Sequence, residues 1–178
     1  MVILGAIYRH TSLNCYNTNM FSQDKNSISE ISSYSFFVYL IFLLAGLFIE
    51  LFFFSQKLLS SHIALYVGVG LMTVSSIVIL WAGHSSYQYR KNSDKYDELG
   101  HQHLIMGVFR FTRNPYYLSL GTLMIGLSLV INSLAIFALA VLSFLVVNSW
   151  FIPKEEEVLR ERHGEHFDKY KDTTKRWF

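Results

Sequence analysis

The stretch that decides the fold is Gly107–Leu118, which reads GVFRFTRNPYYL. Two apolar runs follow, 117–131 and 134–152, joined only by Asn132-Ser133. Because so short a connection makes consecutive helices antiparallel neighbours, the chain should return to its starting side. There it continues as IPKEEE, residues Ile152–Glu157. We call these two segments the polar junction, and we expect its arginines and acids to meet at one end of a helical hairpin.

The composition indicates a membrane protein. The 178-residue chain is 52% hydrophobic and 16% aromatic but only 16% charged, which is too apolar for an ordinary soluble domain. Residues 34–54 carry one acid, Glu50, to which we assign no role, and residues 63–81 carry no charge. Both are about long enough to cross a hydrocarbon core of roughly 30 Å.

The fold class follows from these runs. We predict an all-α polytopic bundle with about four transmembrane helices, at 34–54, 63–81, 115–131 and 134–152. The runs exceed the length of a typical strand and lack period-two alternation, so buried strands are a poor alternative. Small residues on the second and third helices, Ala64, Gly68, Gly121, Thr122 and Gly126, should let the helix backbones approach closely.

The flanking segments differ in character. Residues 1–33 are rich in Asn, Ser and Thr and are interpreted as a poorly ordered extension, which leaves 34–178 as the membrane domain. Residues 83–114 are expected to form a long polar loop. Residues 153–170 are expected to form an amphipathic helix with Leu159, His163, His166 and Tyr170 on one face.

Lysine and arginine predict the orientation. They are concentrated before the first helix, between the second and third, and in the tail, whereas the opposite side has only Lys57. By the positive-inside rule, both termini and the polar junction are cytoplasmic. The net charge of +2 and the alternating signs in the tail do not indicate a nucleic-acid partner, and no protein partner is apparent. Cys15 is alone and no Cys/His spacing indicates a metal.

Each half of the polar junction has an ordinary structural explanation. Asn114 before Pro115 is what a helix start requires, since Asn caps free N–H groups and Pro fits the first helical position. Pro153 followed by three glutamates is equally typical of a first turn, where the helix dipole stabilises acids.

The order of the motifs changes this interpretation. The pattern Gly-x-x-Arg-x-x-Arg-Asn-Pro-x-Tyr-Leu, an apolar hairpin, Ile-Pro-x-Glu-Glu and then Gly164-Glu-His-Phe-x-x-Tyr170 resembles the isoprenylcysteine carboxyl methyltransferase and phospholipid methyltransferase superfamily, especially its small bacterial members. The resemblance covers roughly residues 101–178. Many members have Arg-His-Pro where this chain has Arg113-Asn114-Pro115, so a histidine role there is not transferred, and Val108 replaces a common proline.

The resemblance implies an integral membrane enzyme that uses S-adenosyl-L-methionine to methylate a lipophilic acceptor: an isoprenylcysteine-type carboxylate, a phospholipid amine or another small lipid. We expect Glu155 and Glu156 to bind the cofactor's ammonium or ribose hydroxyls. Adjacent helical residues point about 100° apart, so one glutamate alone is expected to face the cofactor. Arg113 and the N–H groups near Tyr116 would bind the carboxylate. The full set of expected cofactor-binding residues is Gly107, Arg113, Asn114, Pro115, Tyr116, Tyr117, Leu118, Glu155 and Glu156, with Tyr117 and Leu118 beside the adenine.

The catalytic candidates are Arg113, His101 and His103. A carboxylate acceptor needs no proton removed, whereas an amine or alcohol acceptor needs a base, for which the histidines are the candidates. Two alternatives stay open. One is an NADPH-dependent membrane reductase resembling the steroid 5α-reductases, and the other is a non-catalytic membrane scaffold. The Glu155-Glu156 pair favours methyl transfer over reduction.

Overall fold

The computed structural model describes residues 18–53, 62–91 and 107–177, and these contain helices and turns but no β-strand. The helices are α1 (Thr18–Phe52), α2 (His62–Lys91), α3 (Pro115–Ile131), α4 (Leu134–Val146), α5 (Ile152–His163) and α6 (Glu165–Thr173). A 3₁₀ turn, Gly107–Arg110, precedes α3, and a π-helical turn, Val147–Phe151, joins α4 to α5. The predicted all-α class is confirmed.

The length and composition of the helices confirm a membrane bundle. Within the described residues, three segments are long and apolar enough to span a bilayer: Ser33–Phe52, His62–Gln88 and Leu134–Glu161. The shorter apolar helix α3, Pro115–Ile131, matches the predicted third span. The protein is therefore an integral membrane protein with an α-helical bundle.

Two predicted boundaries need correction. Helix α1 begins at Thr18, so residues 18–33 are helical instead of belonging to a poorly ordered extension, and residues 1–17 lie outside the described part. Helix α2 runs to Lys91, ten residues past the predicted end at Trp81, so residues 83–91 are helix instead of loop. The polar residues 84–91 lack Gly and Pro, so nothing in them stops the helix when the apolar run ends.

The helices pack in pairs. α2 lies along α3, α1 lies along α4, and α3 and α4 form the predicted antiparallel hairpin. Gly68 of α2 faces Gly126 of α3 so closely that a Cβ at Gly68 would lie 2.7 Å from the Gly126 carbonyl oxygen. The expected close approach of small residues is confirmed at this crossing.

The hairpin turn is held by its two connecting residues. Asn132 caps α3 in the left-handed conformation with φ 61°, a region that Asn tolerates better than most residues. Ser133 caps α4, because its Oγ accepts a hydrogen bond from the N–H of Ile136 at 3.2 Å. The same hydroxyl donates to Glu50 Oε2 of α1, so Glu50 ties α1 to the turn.

Replacing Ser133 with alanine should lower the free energy of unfolding by about 1–2 kcal/mol, because both the cap and the Glu50 contact are lost. Unfolding by SDS in mixed micelles measures this change. Thr73→Ala is the control, since its hydroxyl is exposed and bonds the carbonyl of Val69 within its own helix. Equal stability of the two variants would contradict the cap assignment.

The second hairpin helix does not stop at Pro153. α4 continues through the π-helical turn into α5, with the N–H of Ile152 bonded to the carbonyl of Val147, five residues earlier. Proline cannot donate to the helix ladder and its ring clashes with the carbonyl four residues before it, so a locally widened turn accommodates it. Pro153 lies in the first turn of α5, as predicted, but α5 continues directly from α4 through the π-helical turn.

The tail helix is broken once. Gly164, with φ +51° and ψ −128°, separates α5 from α6, so the predicted single helix over 153–170 is wrong at this point. The break shifts the helical register, and the buried face of α6 therefore consists of Phe167 and Tyr170, whereas His166 is exposed.

Candidate functional site

The two halves of the polar junction meet, as the hairpin predicts. The guanidinium NH2 of Arg113 lies 3.0 Å from Glu156 Oε1, and the hydroxyl of Tyr117 donates to Glu155 Oε2 at 2.8 Å. Both contacts join the start of α3 to the first turn of α5. One end of the hairpin is therefore a cluster of charged and polar side chains.

The segment before α3 is fixed against α2. Gly107 has φ +57°, and a Cβ there would overlap the hydroxyl of Ser85, so glycine is required both by the backbone and by the close approach. Val108 and Phe109 are buried beside Ala82 of α2. The 3₁₀ turn thereby sets the position from which Arg113 reaches the junction.

The C-terminal segment closes the junction from the other side. Arg176 donates to both oxygens of Glu156, from Nε at 3.2 Å and from NH2 at 2.9 Å. Thr112 Oγ1 donates to the carbonyl of Arg176 at 2.7 Å, and the N–H of Arg113 donates to the carbonyl of Lys175 at 3.2 Å. The ring of Trp177 packs on Phe144 of α4, with centroids 4.9 Å apart.

Glu156 is the centre of this closure. Its side chain is 11% exposed and that of Arg113 is 9% exposed. Arg113 also donates from NH1 to the carbonyls of Lys171 at 3.0 Å and Thr174 at 2.9 Å. Glu156 is therefore held between two guanidinium groups and joins the hairpin to the tail.

Glu155 has a different environment. It is half-buried, and among the described residues its hydrogen-bond partner is Tyr117. The Tyr117 ring is buried in the main apolar cluster with Tyr39, Met124 and Val147. Among the described residues, the second oxygen of Glu155 has no hydrogen-bond partner, whereas both oxygens of Glu156 are bonded to arginine.

Tyr170 anchors α6 to the segment before α3. Its hydroxyl donates to the carbonyl of Phe109 at 3.0 Å. Burial raises the pKa of the Tyr170 hydroxyl above its ordinary value, which keeps the proton needed for this bond. The aromatic residue of the tail pattern therefore has a structural contact.

The remaining predicted residues occupy varied positions. Pro115 is fully buried, and Leu118 is half-buried. Tyr116 is half-buried with its hydroxyl 3.5 Å from Ser86 Oγ. Asn114 occupies the N-cap of α3, but its side chain makes no capping hydrogen bond, contrary to expectation, since its backbone has φ −125° and ψ 55°. His101 and His103 lie outside the described residues.

Several buried polar atoms of the described residues lack a hydrogen-bond partner. Two are donors in the junction, Arg113 Nε and Asn114 Nδ2, and two are oxygens, Asn148 Oδ1 and Thr174 Oγ1. Buried polar groups are normally satisfied, so the two unpartnered donors of the junction are candidates for contact with a polar ligand.

Sequence reasoning missed Ser35, Tyr39 and Arg176. Ser35 Oγ donates to the hydroxyl of Tyr117 at 3.0 Å, and Tyr39 donates to the carbonyl of Tyr117 at 3.2 Å. Both lie on α1, far from the junction in sequence, and one serine or tyrosine in an apolar helix carries no distinct signal. Arg176 was one of several tail cations, and its pairing depends on the turn after α6.

These features define the class: a polytopic α-helical membrane protein with a polar site at one end of a transmembrane hairpin. The sequence profile of the phospholipid methyltransferase family matches residues 63–166, more than half of the chain. The chain belongs to the phospholipid methyltransferase family, and this supports a membrane methyltransferase. No curated protein and no solved structure matches it.

Proposed function

We propose that this protein is a membrane methyltransferase that uses S-adenosyl-L-methionine and transfers its methyl group to a lipophilic acceptor. Family membership supports the reaction class. The observation that supports the cofactor assignment is the junction itself, which contains Glu155, bonded through one oxygen to Tyr117, and the unpartnered donors Arg113 Nε and Asn114 Nδ2.

The residues present fit the cofactor. When bound, S-adenosyl-L-methionine supplies an electrophilic methyl group on a sulfonium. Glu155 would bind the ammonium group or the ribose hydroxyls, and Arg113 Nε with Asn114 Nδ2 would bind the carboxylate. Leu118 and Tyr116, both half-buried, would contribute apolar walls. Tyr117, proposed from the sequence as an adenine wall, would act instead through its hydroxyl on Glu155.

Glu156 would act indirectly. Because both of its oxygens are bonded to Arg113 and Arg176, it fixes the guanidinium of Arg113 in the junction and holds the C-terminal segment over it. This closure would help to keep water away from the reacting methyl group. The adjacent glutamates would therefore have different roles: Glu155 would bind the ligand, and Glu156 would hold Arg113 and the C-terminal segment in place.

Methyl transfer also requires that the protein align the acceptor with the methyl group. A lipophilic acceptor would enter sideways from the bilayer, because the described helices present apolar side chains outward, including Phe36, Leu40 and Ile77. An amine or alcohol acceptor would need a base, and His101 and His103 stay candidates for it. We place the site on the cytoplasmic side from the distribution of Lys and Arg.

Titration of the detergent-purified full chain with S-adenosylhomocysteine and with NADPH tests the proposal. Heat with S-adenosylhomocysteine alone is the expected result. Binding of NADPH alone would favour the reductase alternative, and heat with neither would favour a non-catalytic scaffold. Incubation of membranes with a methyl-labelled cofactor, followed by separation of lipids from proteins, then identifies the class of acceptor.

Replacing Glu155 with glutamine should weaken S-adenosylhomocysteine binding by about 1.5–3 kcal/mol, since a hydrogen bond to a charged group is lost. That corresponds to roughly a 10–150-fold rise in Kd, which calorimetry resolves. Glu157→Gln is the matched control, because Glu157 is exposed on the same turn of α5. Unchanged affinity of Glu155→Gln would remove Glu155 from the site.

A further inference from the structure

A chain of hydroxyl groups connects α1 to the proposed ligand-binding glutamate. Ser35 Oγ donates to the Tyr117 hydroxyl at 3.0 Å, and that hydroxyl donates to Glu155 Oε2 at 2.8 Å. Ser35 is fully buried, and Tyr117 is 4% exposed. The connection therefore runs through protein, protected from water, across three helices.

The direction of these bonds has a chemical consequence. A phenol hydroxyl has one hydrogen to donate, and its oxygen can accept another hydrogen bond. Because Ser35 donates to the oxygen of Tyr117, the phenol hydrogen remains for Glu155. Hydrogen bonds in such a chain also polarise one another, so the serine strengthens the bond that Tyr117 makes to the carboxylate.

The backbone and the ring of Tyr117 are fixed as well. Tyr39 of α1 donates to the Tyr117 carbonyl at 3.2 Å, and Met124, Val147 and Ile152 belong to the same buried cluster as the Tyr117 ring. A hydroxyl on an immobile ring defines one position for the carboxylate it contacts. Glu155 is therefore held in place by contacts that begin on α1.

We propose that Ser35 is a positioning residue, which orients the Tyr117 hydroxyl and through it the carboxylate of Glu155 for cofactor binding. This inference rests on the proposed function. It extends the site to α1, which lies outside residues 63–166 that match the family profile. The functional unit of this chain would then include a helix that the family match does not cover.

A purely structural role for Ser35 predicts a different effect on ligand affinity. Buried serines often link transmembrane helices, and losing such a link weakens packing whatever Tyr117 does. A positioning role requires Tyr117, so the effect of Ser35 on ligand affinity must vanish when the Tyr117 hydroxyl is absent. A double-mutant cycle separates the two roles.

The experiment compares the full-length wild type with Ser35→Ala, Tyr117→Phe and the double variant, each titrated with S-adenosylhomocysteine. We expect Ser35→Ala to raise Kd roughly 3–10-fold, a loss typical of one hydrogen bond, and Tyr117→Phe to raise it at least as much. The double variant should match Tyr117→Phe. Ser75→Ala is the control, since Ser75 is equally buried but bonds the Leu71 carbonyl within α2.

The other outcomes contradict either the positioning role of Ser35 alone or the proposed function as well. If the wild type binds and Ser35→Ala binds equally well, or if the Ser35→Ala loss persists in the Tyr117→Phe background, the positioning role is wrong while the proposed function stands. If the folded wild type does not bind S-adenosylhomocysteine, both fall. Size-exclusion profiles confirm folding, and Ser35→Cys, close in size with a poorer donor, replaces any unstable alanine variant.

Discussion

Replacing Glu156 with glutamine is expected to lower the free energy of unfolding by about 3–5 kcal/mol, the cost of removing one partner from a buried ion pair. Glu156 neutralises Arg113 at 3.0 Å and Arg176 at 2.9 Å, and the Arg113 side chain is 9% exposed. Glutamine keeps the shape but removes the carboxylate that neutralises the buried guanidinium of Arg113. SDS-induced unfolding in mixed micelles measures the loss.

Two variants sharpen this prediction. Glu157→Gln, on the exposed side of the same turn, should change stability by less than about 0.5 kcal/mol, as surface substitutions usually do. Glu155→Gln should weaken ligand binding with a smaller effect on stability. A Glu156→Gln protein as stable as the wild type would show that the tail is not held through this cluster.

The sequence supported the hairpin and the meeting of its two ends for a clear physical reason. The Asn132-Ser133 link permits one topology, and it places Arg113 opposite Glu155-Glu156 whatever the side-chain details. Apolar length alone predicted the spans. The start of α3 at Pro115 followed from proline chemistry, and the structure places it there.

The different environments of Glu155 and Glu156 could not be predicted from the sequence. It depends on which face of α5 turns toward α3, and the π-helical turn before Pro153 rotates that face in a way that helical periodicity does not encode. Glu155 is linked by way of Tyr117 to Ser35, near the start of the described chain, whereas Glu156 is bonded to Arg176, near its end. Such long-range contacts leave no local pattern.

A substitution at the crossing of α2 and α3 is also expected to lower stability strongly. Gly68→Ala should lower the free energy of unfolding by about 2–3 kcal/mol, because a Cβ there would lie 2.7 Å from the Gly126 carbonyl oxygen and 2.9 Å from Val130 Cγ2. The carbonyl belongs to the backbone of α3 and cannot rotate away. The helices must therefore separate along the crossing, and contacts over the whole interface weaken with them.

Gly70 provides the control within the same helix, since a Cβ added there meets no atom within 4 Å. Gly70→Ala removes a flexible residue from a helix interior and should leave stability equal or higher, by up to about 1 kcal/mol. The two variants add the same methyl group two residues apart, so hydrophobicity and helix propensity cancel in their comparison. A difference below about 1 kcal/mol between them would mean that α2 and α3 do not cross at Gly68 and Gly126, because native cores respond to overpacking at that scale.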